Sequence, residues 1–151
     1  QLAAAMFAKG LKLATAESCT GGWITQSLTA LAGSSAWFEA GFVTYSNEAK
    51  QQMLGVSVET LDRVGAVSEE VAGEMANGAV AHAHVELAVS VTGIAGPGGS
   101  EFKPEGRVCF GLAMKGRKTT TETIEFGALG RAHVRRAACD HALTLLAGAL
   151  S

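Results

Sequence analysis

The sequence predicts an α/β layered domain with a mixed sheet, and three observations lead to this prediction. Strand-like and helical segments alternate through the first half of the chain, two strand-like runs form a hairpin in the second half, and a long helical pattern closes it. The 151 residues fall within the usual size of one domain, and 48% of them are apolar, enough for a substantial core. We therefore expect one domain over residues 1–151.

The chain opens with an alternation of helix and strand. Residues 2–9 form an alanine-rich helical pattern that stops at Gly10, and residues 12–16 indicate a short strand. The next segment shares one helical face: Trp23, Ile24, Ser27, Leu28 and Leu31. Residues 38–45 are aromatic and β-branched, which predicts a second strand.

Three helices follow before the next strand. Ser46 or Asn47 can cap a helix that continues to Leu54, and residues 60–64 form another short helical segment. Glycines end these two helices: Gly55 and Gly65. Ser68 is a natural cap for a third helix, whose first turn is acidic and therefore complements the helix dipole.

The rest of the chain predicts three strands and a closing helix. Residues 87–92 are an apolar run of buried-strand type, and residues 107–114 and 118–126 form a hairpin joined at residues 115–117. The final helix repeats one face at intervals of three or four: Val134, Ala138, His141, Leu145 and Ala149.

Bulk properties exclude several classes of partner. The net charge of −2 and a pI near 6.1 provide no clustered basic face for nucleic acid. No apolar run approaches the roughly 20 residues of a membrane span, and no basic segment precedes an apolar one as in a secretion signal. We expect a cytoplasmic protein without membrane or nucleic-acid partners. The sequence begins at Gln1 rather than Met, which leaves an upstream domain open.

Cysteine and histidine usage does not favour a metal site. Cys19, Cys109 and Cys139 are odd in number and widely spaced, a pattern typical of reduced cytosolic thiols rather than of disulfides or zinc ligands. His82 and His84 form an H-x-H pair with no acidic or cysteine cluster beside it. We expect the pair at a helix end on the surface, and we predict no metal and no organic cofactor.

Ser18 lies where the first strand hands over to a helix, at the sheet edge where α/β proteins bind ligands. Gly21 and Gly22 would leave the following amides open at a helix N-terminus, where they could hold an oxyanion or a phosphate. From spacing alone, a capping role for Ser18 or Thr20 is favoured. A serine becomes a nucleophile only beside a base.

Lys50 is the candidate base, because no histidine is well placed and no G-x-S-x-G motif is present. It falls in the first turn of a helix that follows a strand, which is the same kind of sheet edge as that of Ser18. Burial and the positive end of the helix would both lower the lysine pKa toward neutrality, so that the amine could accept the serine proton. The alternative is an ordinary solvated lysine.

A glycine loop, T-G-I-A-G-P-G-G at residues 92–99, follows the buried strand. Clustered glycines allow backbone amides to approach an anion, but the spacing matches neither an ATP nor a dinucleotide motif. Five cations could contact a phosphate, most of them expected on the surface: Lys103, Arg107, Arg131, Arg135 and Arg136.

Six segments, taken in order, carry a joint pattern: A-E-S-C-T-G-G at 16–22, G-S-S at 33–35, V-T-Y-S-N at 43–47 with Lys50, G-A-V-S at 65–68, V-T-G-I-A-G-P at 91–97 and K-P-E-G-R-V at 103–108. Together they resemble the CinA C-terminal domain family. The resemblance implies a nicotinamide mononucleotide deamidase, which hydrolyses the carboxamide to nicotinate mononucleotide and ammonia. It also implies a three-layer α/β/α domain with a mixed, mostly parallel five-stranded sheet, in a homo-oligomer.

The resemblance also implies roles for individual residues. Ser18 matches the proposed nucleophile, Lys50 the proposed base, and Tyr45 the tyrosine beside them. The substrate contacts expected at the site are Glu17, Thr20, Gly21, Gly22, Thr92, Gly93, Gly96 and Arg131. The family usually has Gly-Asp-Arg before the last helix, whereas this chain has G-A-L-G-R at 127–131 and lacks the acidic residue.

These observations yield a mechanistic hypothesis and two alternatives. Lys50 would deprotonate Ser18, Tyr45 would orient the lysine or relay a proton, amides near residues 20–22 would hold the oxyanion, and the 92–99 loop would hold the phosphate. Cys19 is expected to face away and pack. The first alternative is a nucleotide-binding or regulatory domain without turnover. The second, a phosphohydrolase, ranks last because the two aspartates, Asp62 and Asp140, are not paired.

Overall fold

The computed structural model describes residues 2–100 and 102–151 and contains one five-stranded sheet in the order β2-β1-β3-β4-β5. The strands are β1 Leu13–Glu17, β2 Phe38–Val43, β3 Leu87–Gly93, β4 Arg107–Met114 and β5 Thr120–Glu125. β1 pairs in parallel with β2 and β3, whereas β4 pairs antiparallel with β3 and β5. Four strands therefore share one direction and only β4 opposes them. The predicted mixed, mostly parallel sheet is confirmed.

Helices cover both faces of this sheet. Within the described residues they are α1 Leu2–Lys9, α2 Trp23–Thr29, α3 Asn47–Leu54, α4 Val58–Val64, α5 Glu69–Ala83 and α6 Arg131–Ala149, with one 3₁₀ turn at Ser34–Ala36. Residues of α1, α2 and α6 share the apolar core on one face, and residues of α3, α4 and α5 share the core on the other. This arrangement is the three-layer α/β/α fold that was expected. No helix of the described chain is both long and apolar enough to cross a membrane.

Strand alternation assigns large side chains to one face of the sheet and small ones to the other. In β3, Leu87, Val89 and Val91 belong to the core beneath α6, while Ala88 belongs to the core beneath α5. Ser90 also faces α5, and its hydroxyl donates to the carbonyl of Ala72 over 2.5 Å. The small residues on this face let the α5 backbone approach the sheet closely.

The predicted boundaries differ from the observed ones by a few residues, for identifiable reasons. α4 begins at Val58 because Ser57 accepts a hydrogen bond from the Thr60 amide and caps the helix earlier than expected. β2 ends at Val43, where the chain turns toward α3. α2 ends at Thr29 and β5 is shorter than residues 118–126.

In the second half of α6, the buried positions are shifted by one residue from the predicted positions. Val134 and Ala138 are buried as expected, but below them the buried positions are Ala142 and Leu146. His141 is half-buried instead, because its ring contacts Phe110 while Nε2 lies 2.5 Å from Glu122 Oε1. A spacing of three or four residues does not by itself distinguish these neighbouring faces of a helix.

The cysteines and the H-x-H pair lie where packing places them. All three cysteines are free and buried. His82 is in the last turn of α5, and His84 caps that helix with a φ of 56°. The predicted surface position at a helix end is confirmed for this pair. Within residues 2–100 and 102–151, no three side chains of metal-binding type come together.

Candidate active site

The carboxyl ends of β1, β2 and β3 meet at one edge of the sheet, where a cavity of about 360 Å³ opens. The connections after β1 and β2 leave toward opposite faces at this edge, since α2 belongs to one helix layer and α3 to the other. Such an edge is the usual place for a ligand in an open α/β sheet. Segments that follow all three strands and the start of α6 contribute to its wall, which includes Ser18, Tyr45, Lys50, Thr92, Gly93, Gly96 and Arg131. A larger groove of about 940 Å³ runs along α5 and β5 and includes none of these residues.

Ser18 and Lys50 are in direct contact. Lys50 Nζ lies 3.0 Å from Ser18 Oγ, and it donates to the carbonyls of Thr44 at 3.0 Å and Tyr45 at 3.2 Å. Lys50 is only 1% exposed and Ser18 8%. Burial lowers the pKa of Lys50 below its usual value. The solvated lysine that we weighed as the alternative is therefore not what the structure contains.

The hydroxyl of Ser18 reaches Lys50 because of the strand alternation. Ala14 and Ala16 face the core beneath α5, and Ser18 continues that side of the strand toward α3. Cys19 belongs to the opposite core, with α6. Burial raises the pKa of the Cys19 thiol to about 11, so that the thiol is protonated at neutral pH. The prediction that the Cys19 side chain faces away from Ser18 and packs in the core is therefore confirmed.

Tyr45 contacts Lys50 through its main chain rather than its side chain. The phenol is 59% exposed, and its oxygen accepts a hydrogen bond from Arg131 Nη2 over 2.9 Å. The structure gives no hydrogen bond through which the Tyr45 phenol would orient the lysine, and the alternative role of Tyr45 in relaying a proton stays a prediction. Carbonyls at the end of β2 orient the lysine instead, since main-chain oxygens already surround the amine.

Glu17 does not reach the cavity. Its carboxylate is fully buried and accepts five hydrogen bonds, from the Thr20 hydroxyl, from the Gly22 and Ile24 amides, and from both the amide and hydroxyl of Thr25. Glu17 thus satisfies the otherwise unpaired amides at the start of α2. The substrate contacts expected for Glu17 and the equally buried Thr20 are corrected, because both side chains are occupied in the interior.

The amides of Gly21 and Gly22 are likewise unavailable to a ligand. The Gly21 amide donates to the Ser18 carbonyl over 3.0 Å and the Gly22 amide to Glu17 over 3.1 Å. Both glycines have positive φ, 61° and 105°, so they are required by the turn itself. In the part of the chain that the structure describes, the amides of Cys19 and Thr20 donate to no protein oxygen.

The glycine loop also forms part of the cavity wall. Thr92 is buried, and its hydroxyl donates to the Ala66 carbonyl over 2.9 Å, which ties the connection between α4 and α5 to the site. A Cβ on Gly93 would lie 2.7 Å from Val108 Cγ2, and one on Gly96 would lie 2.7 Å from Glu105 Cδ. A side chain at Gly93 would collide with β4, and Gly96 has a φ of 97°, so both positions of the loop require glycine.

The five candidate cations lie in different environments, and only some of them are near the cavity. Arg131 lines the cavity and donates from Nη1 to the Gly96 carbonyl over 2.7 Å. Lys103 donates to the carbonyls of Val64 and Val67, and Arg107 pairs with Glu125. Arg136 is exposed on α6. Arg135 donates from Nε to the Cys19 carbonyl and from Nη2 to the Thr20 carbonyl, both over 3.1 Å.

Sequence reasoning misses this last contact. It treats Arg135 as a phosphate contact or a surface charge, whereas the side chain touches the turn that carries Ser18. The available signal is the position of Arg135 one helical turn after Arg131, which puts both residues on the same side of α6.

The sequence matches the CinA C-terminal domain family over residues 1–150. The chain belongs to this family. It is similar to the nicotinamide-nucleotide amidohydrolase PncC of Escherichia coli K12, with 54% identity over 147 residues, which cover 97% of this chain and 88% of that protein. A CinA-like protein of Chlorobium phaeobacteroides is 56% identical over 121 residues, 77% of this chain but 29% of that longer protein.

Solved structures of the family share the fold. The competence/damage inducible protein CihA of Agrobacterium tumefaciens is 45% identical with a TM-score of 0.91, over 99% of this chain and 93% of that one. A CinA superfamily protein of Enterobacter cloacae is 38% identical with a TM-score of 0.94, over 99% and 88% of the two chains.

Proposed function

We propose that the protein is a nicotinamide-nucleotide amidohydrolase that converts nicotinamide mononucleotide to nicotinate mononucleotide and ammonia. The observation that carries this proposal is the 3.0 Å contact between Ser18 Oγ and the buried Lys50 amine. A serine beside a lysine of lowered pKa is a recognised arrangement for acyl transfer. The 54% identity to an amidohydrolase of that name supports the choice of substrate.

The three partners of the Lys50 amine favour the role of a base. The carbonyls of Thr44 and Tyr45 can only accept, so in the neutral amine they take both N–H groups. The nitrogen lone pair is then left for the third partner, the Ser18 hydroxyl, whose proton it can receive. Because burial disfavours the ammonium form, this neutral state is populated closer to neutral pH than for a solvated lysine.

The reaction follows in two steps. Lys50 takes the proton of Ser18 as Oγ bonds to the carboxamide carbon, and the amide of Cys19, a residue of the cavity wall, stabilises the oxyanion. The C–N bond then breaks, and the nitrogen leaves as ammonia with the proton from Lys50. In the second step Lys50 deprotonates a water that attacks the acyl-enzyme, and the proton returns to Ser18 Oγ as the product departs. The product leaves as the carboxylic acid and loses its proton to solvent to give the carboxylate.

We assign the phosphate of the substrate to the part of the cavity wall formed by Arg131 and the glycine loop. Arg131 lies in the cavity wall, and its guanidinium already contacts Gly96 of the glycine loop and the Tyr45 hydroxyl. A guanidinium with adjacent loop amides is suited to a dianionic phosphate. The cavity volume of about 360 Å³ falls within the range of small-molecule sites.

The altered segment before α6 bears on the alternative of a binding domain without turnover. Although the acidic residue of the family is absent there, Arg131 still lies in the cavity and contacts Gly96. The homo-oligomer and the cytoplasmic location that the sequence suggests stay predictions.

Replacing the nucleophile tests the proposed function. We expect Ser18→Ala to abolish ammonia release from nicotinamide mononucleotide, because no oxygen remains to form the acyl-enzyme. Ser35→Ala is the matched control, since Ser35 is exposed on the 3₁₀ turn away from the cavity. Ammonia is measured by a coupled assay and mononucleotide binding by calorimetry.

Near-normal turnover by Ser18→Ala would overturn the Ser18 mechanism. A wild-type protein that binds the mononucleotide and releases no ammonia would instead favour the regulatory domain.

A further inference from the structure

The turn that carries Ser18 is held from two sides by buried or half-buried charges. The carboxylate of Glu17 accepts hydrogen bonds from amides at the start of α2. The guanidinium of Arg135 donates hydrogen bonds to two carbonyls of the same turn. Arg135 comes from α6, more than a hundred residues away in the sequence, and its Cζ lies 5.6 Å from the centroid of the Trp23 ring. Arg135 is thus held by a cation–π contact as well as by hydrogen bonds.

Fixing a carbonyl also fixes the N–H of the same peptide group. In a trans peptide the C=O and N–H bonds are coplanar and point in opposite directions. The hydrogen bond from Arg135 Nε to the Cys19 carbonyl therefore sets the direction of the Thr20 N–H. Similarly, the bond from the Gly21 amide to the Ser18 carbonyl sets the direction of the Cys19 N–H. In the described chain, these are the two amides of the turn without a protein oxygen as acceptor.

We propose that Arg135 is a positioning residue for the oxyanion site next to Ser18. By holding the carbonyls of Cys19 and Thr20, it fixes the main chain that directly follows Ser18. The Cys19 amide belongs to this segment, and Cys19 lines the cavity, whereas Thr20 is fully buried. The proposal rests on the proposed function, since an oxyanion forms only if Ser18 attacks an acyl carbon.

Although Arg131 and Arg135 are only one helical turn apart on α6, we assign them different roles. Arg131 lines the cavity, where a substrate phosphate would meet it. Arg135 lies outside the described cavity wall, and two of its donor nitrogens are used by main-chain carbonyls. Loss of the Arg131 guanidinium is expected to raise KM, whereas loss of the Arg135 guanidinium is expected to lower kcat, because the oxyanion exists only along the reaction path.

The test compares Arg135→Met, Arg135→Lys and the control Arg136→Met. Methionine retains an unbranched side chain over Trp23, and lysine retains the charge without the forked pair of donors. We expect Arg135→Met to lower kcat by about 10- to 100-fold with KM within about twofold, somewhat less than removing an oxyanion donor outright. Arg135→Lys should lie between it and the wild type. Arg136 is exposed, so its variant should match the wild type.

Two further readouts separate positioning from general damage. Methylguanidinium added to Arg135→Ala should restore part of kcat, with tetramethylammonium as the inactive control. The rate at which p-nitrophenyl acetate acylates Ser18, followed by intact mass, should fall in the Arg135 variants in step with kcat. Thermal unfolding confirms that the compared variants are folded.

An unchanged kcat and acylation rate in Arg135→Met, or a change confined to KM, would overturn the positioning role. Wild-type protein that is acylated on Ser18 but releases no ammonia would refute the proposed substrate alone, and the acylation rates of the variants would then decide the role of Arg135. Wild-type protein that is not acylated on Ser18 would overturn both proposals.

Discussion

At the scale of single residues, the chemistry depends on an amine that is almost completely removed from water. Lys50 is in the first turn of α3, where Ser46 caps the helix by accepting from the Ala49 amide over 3.0 Å. The carbonyls of Thr44 and Tyr45 direct its Nζ toward Ser18. Among the described residues no carboxylate contacts the amine, so desolvation is the main influence on its pKa, and it favours the neutral form.

This lowered pKa predicts the pH dependence of the reaction. The base must be neutral, so kcat/KM should fall as the pH decreases through the pKa of Lys50. We expect the midpoint of this limb to lie clearly below 10.5, the ordinary value for lysine. Lys50→Arg should lose at least about 100-fold in kcat at every pH, because a guanidinium does not release its proton. Steady-state kinetics across the pH range provide the measurement.

The same shift has a consequence for stability that serves as an independent check. Between the lowered pKa and 10.5 the unfolded chain binds a proton at Lys50 that the folded protein does not, so the free energy of unfolding rises with pH in this window. Lys50→Met should remove that rise in urea unfolding. An activity limb centred at the ordinary lysine pKa would contradict both expectations.

At the scale of elements, α2 depends on a carboxylate from the preceding strand. The helix begins after a glycine N-cap that provides no side-chain hydrogen bond, and Glu17 at the end of β1 supplies the acceptors instead. A short helix is marginal alone, so this cap joins it to the sheet and fixes the intervening turn.

Replacing this cap by an amide is expected to be costly. In Glu17→Gln one oxygen becomes an NH2 donor facing other donors, which should lower the free energy of unfolding by roughly 2–4 kcal/mol. Urea unfolding at one pH measures the difference. Glu39→Gln on β2 is the control, because Glu39 is exposed and its only described ion pair, with Lys12 at 3.8 Å, should contribute less than about 1 kcal/mol. Equal effects of the two changes would refute the capping role.

At the scale of the whole molecule, the layer of α3, α4 and α5 is held by close backbone packing. A Cβ placed on Gly78 of α5 would overlap the carbonyl oxygen of Leu54, at the end of α3. A Cβ on Gly111 of β4 would lie 2.6 Å from Ser90 Oγ. Glycine at these positions lets the helix layer approach both its neighbour and the sheet.

Two glycine-to-alanine changes test this packing. Gly78→Ala should lower the free energy of unfolding by roughly 1–3 kcal/mol, because α3 and α5 must separate to admit the methyl group. Gly148→Ala in α6 meets nothing within 4 Å and should instead raise it by up to about 1 kcal/mol through helix propensity. Urea midpoints of both variants provide the comparison. A stabilised Gly78→Ala would show that the contact is looser than described.

The amino-acid sequence alone is enough to predict the elements and the edge of the sheet at which they meet. Periodicity and capping residues predict the helices and strands to within a few residues, because both are properties of the local chain. A residue that follows a strand must then emerge at that strand's carboxyl end. For this reason the order of residues suffices to assign Ser18, Lys50 and the glycine loop after Thr92 to one edge of the sheet.

What each polar group does at that edge is decided by the tertiary structure. Glu17, Gly21 and Gly22 belong to the same motif as Ser18, yet their hydrogen-bonding groups are used to build α2 and the turn before it. Arg135 comes from the far end of the chain to hold that turn. Each donor or acceptor pairs with the partner that the fold brings within hydrogen-bond distance. That partner depends on the three-dimensional arrangement and cannot be derived from spacing along the chain.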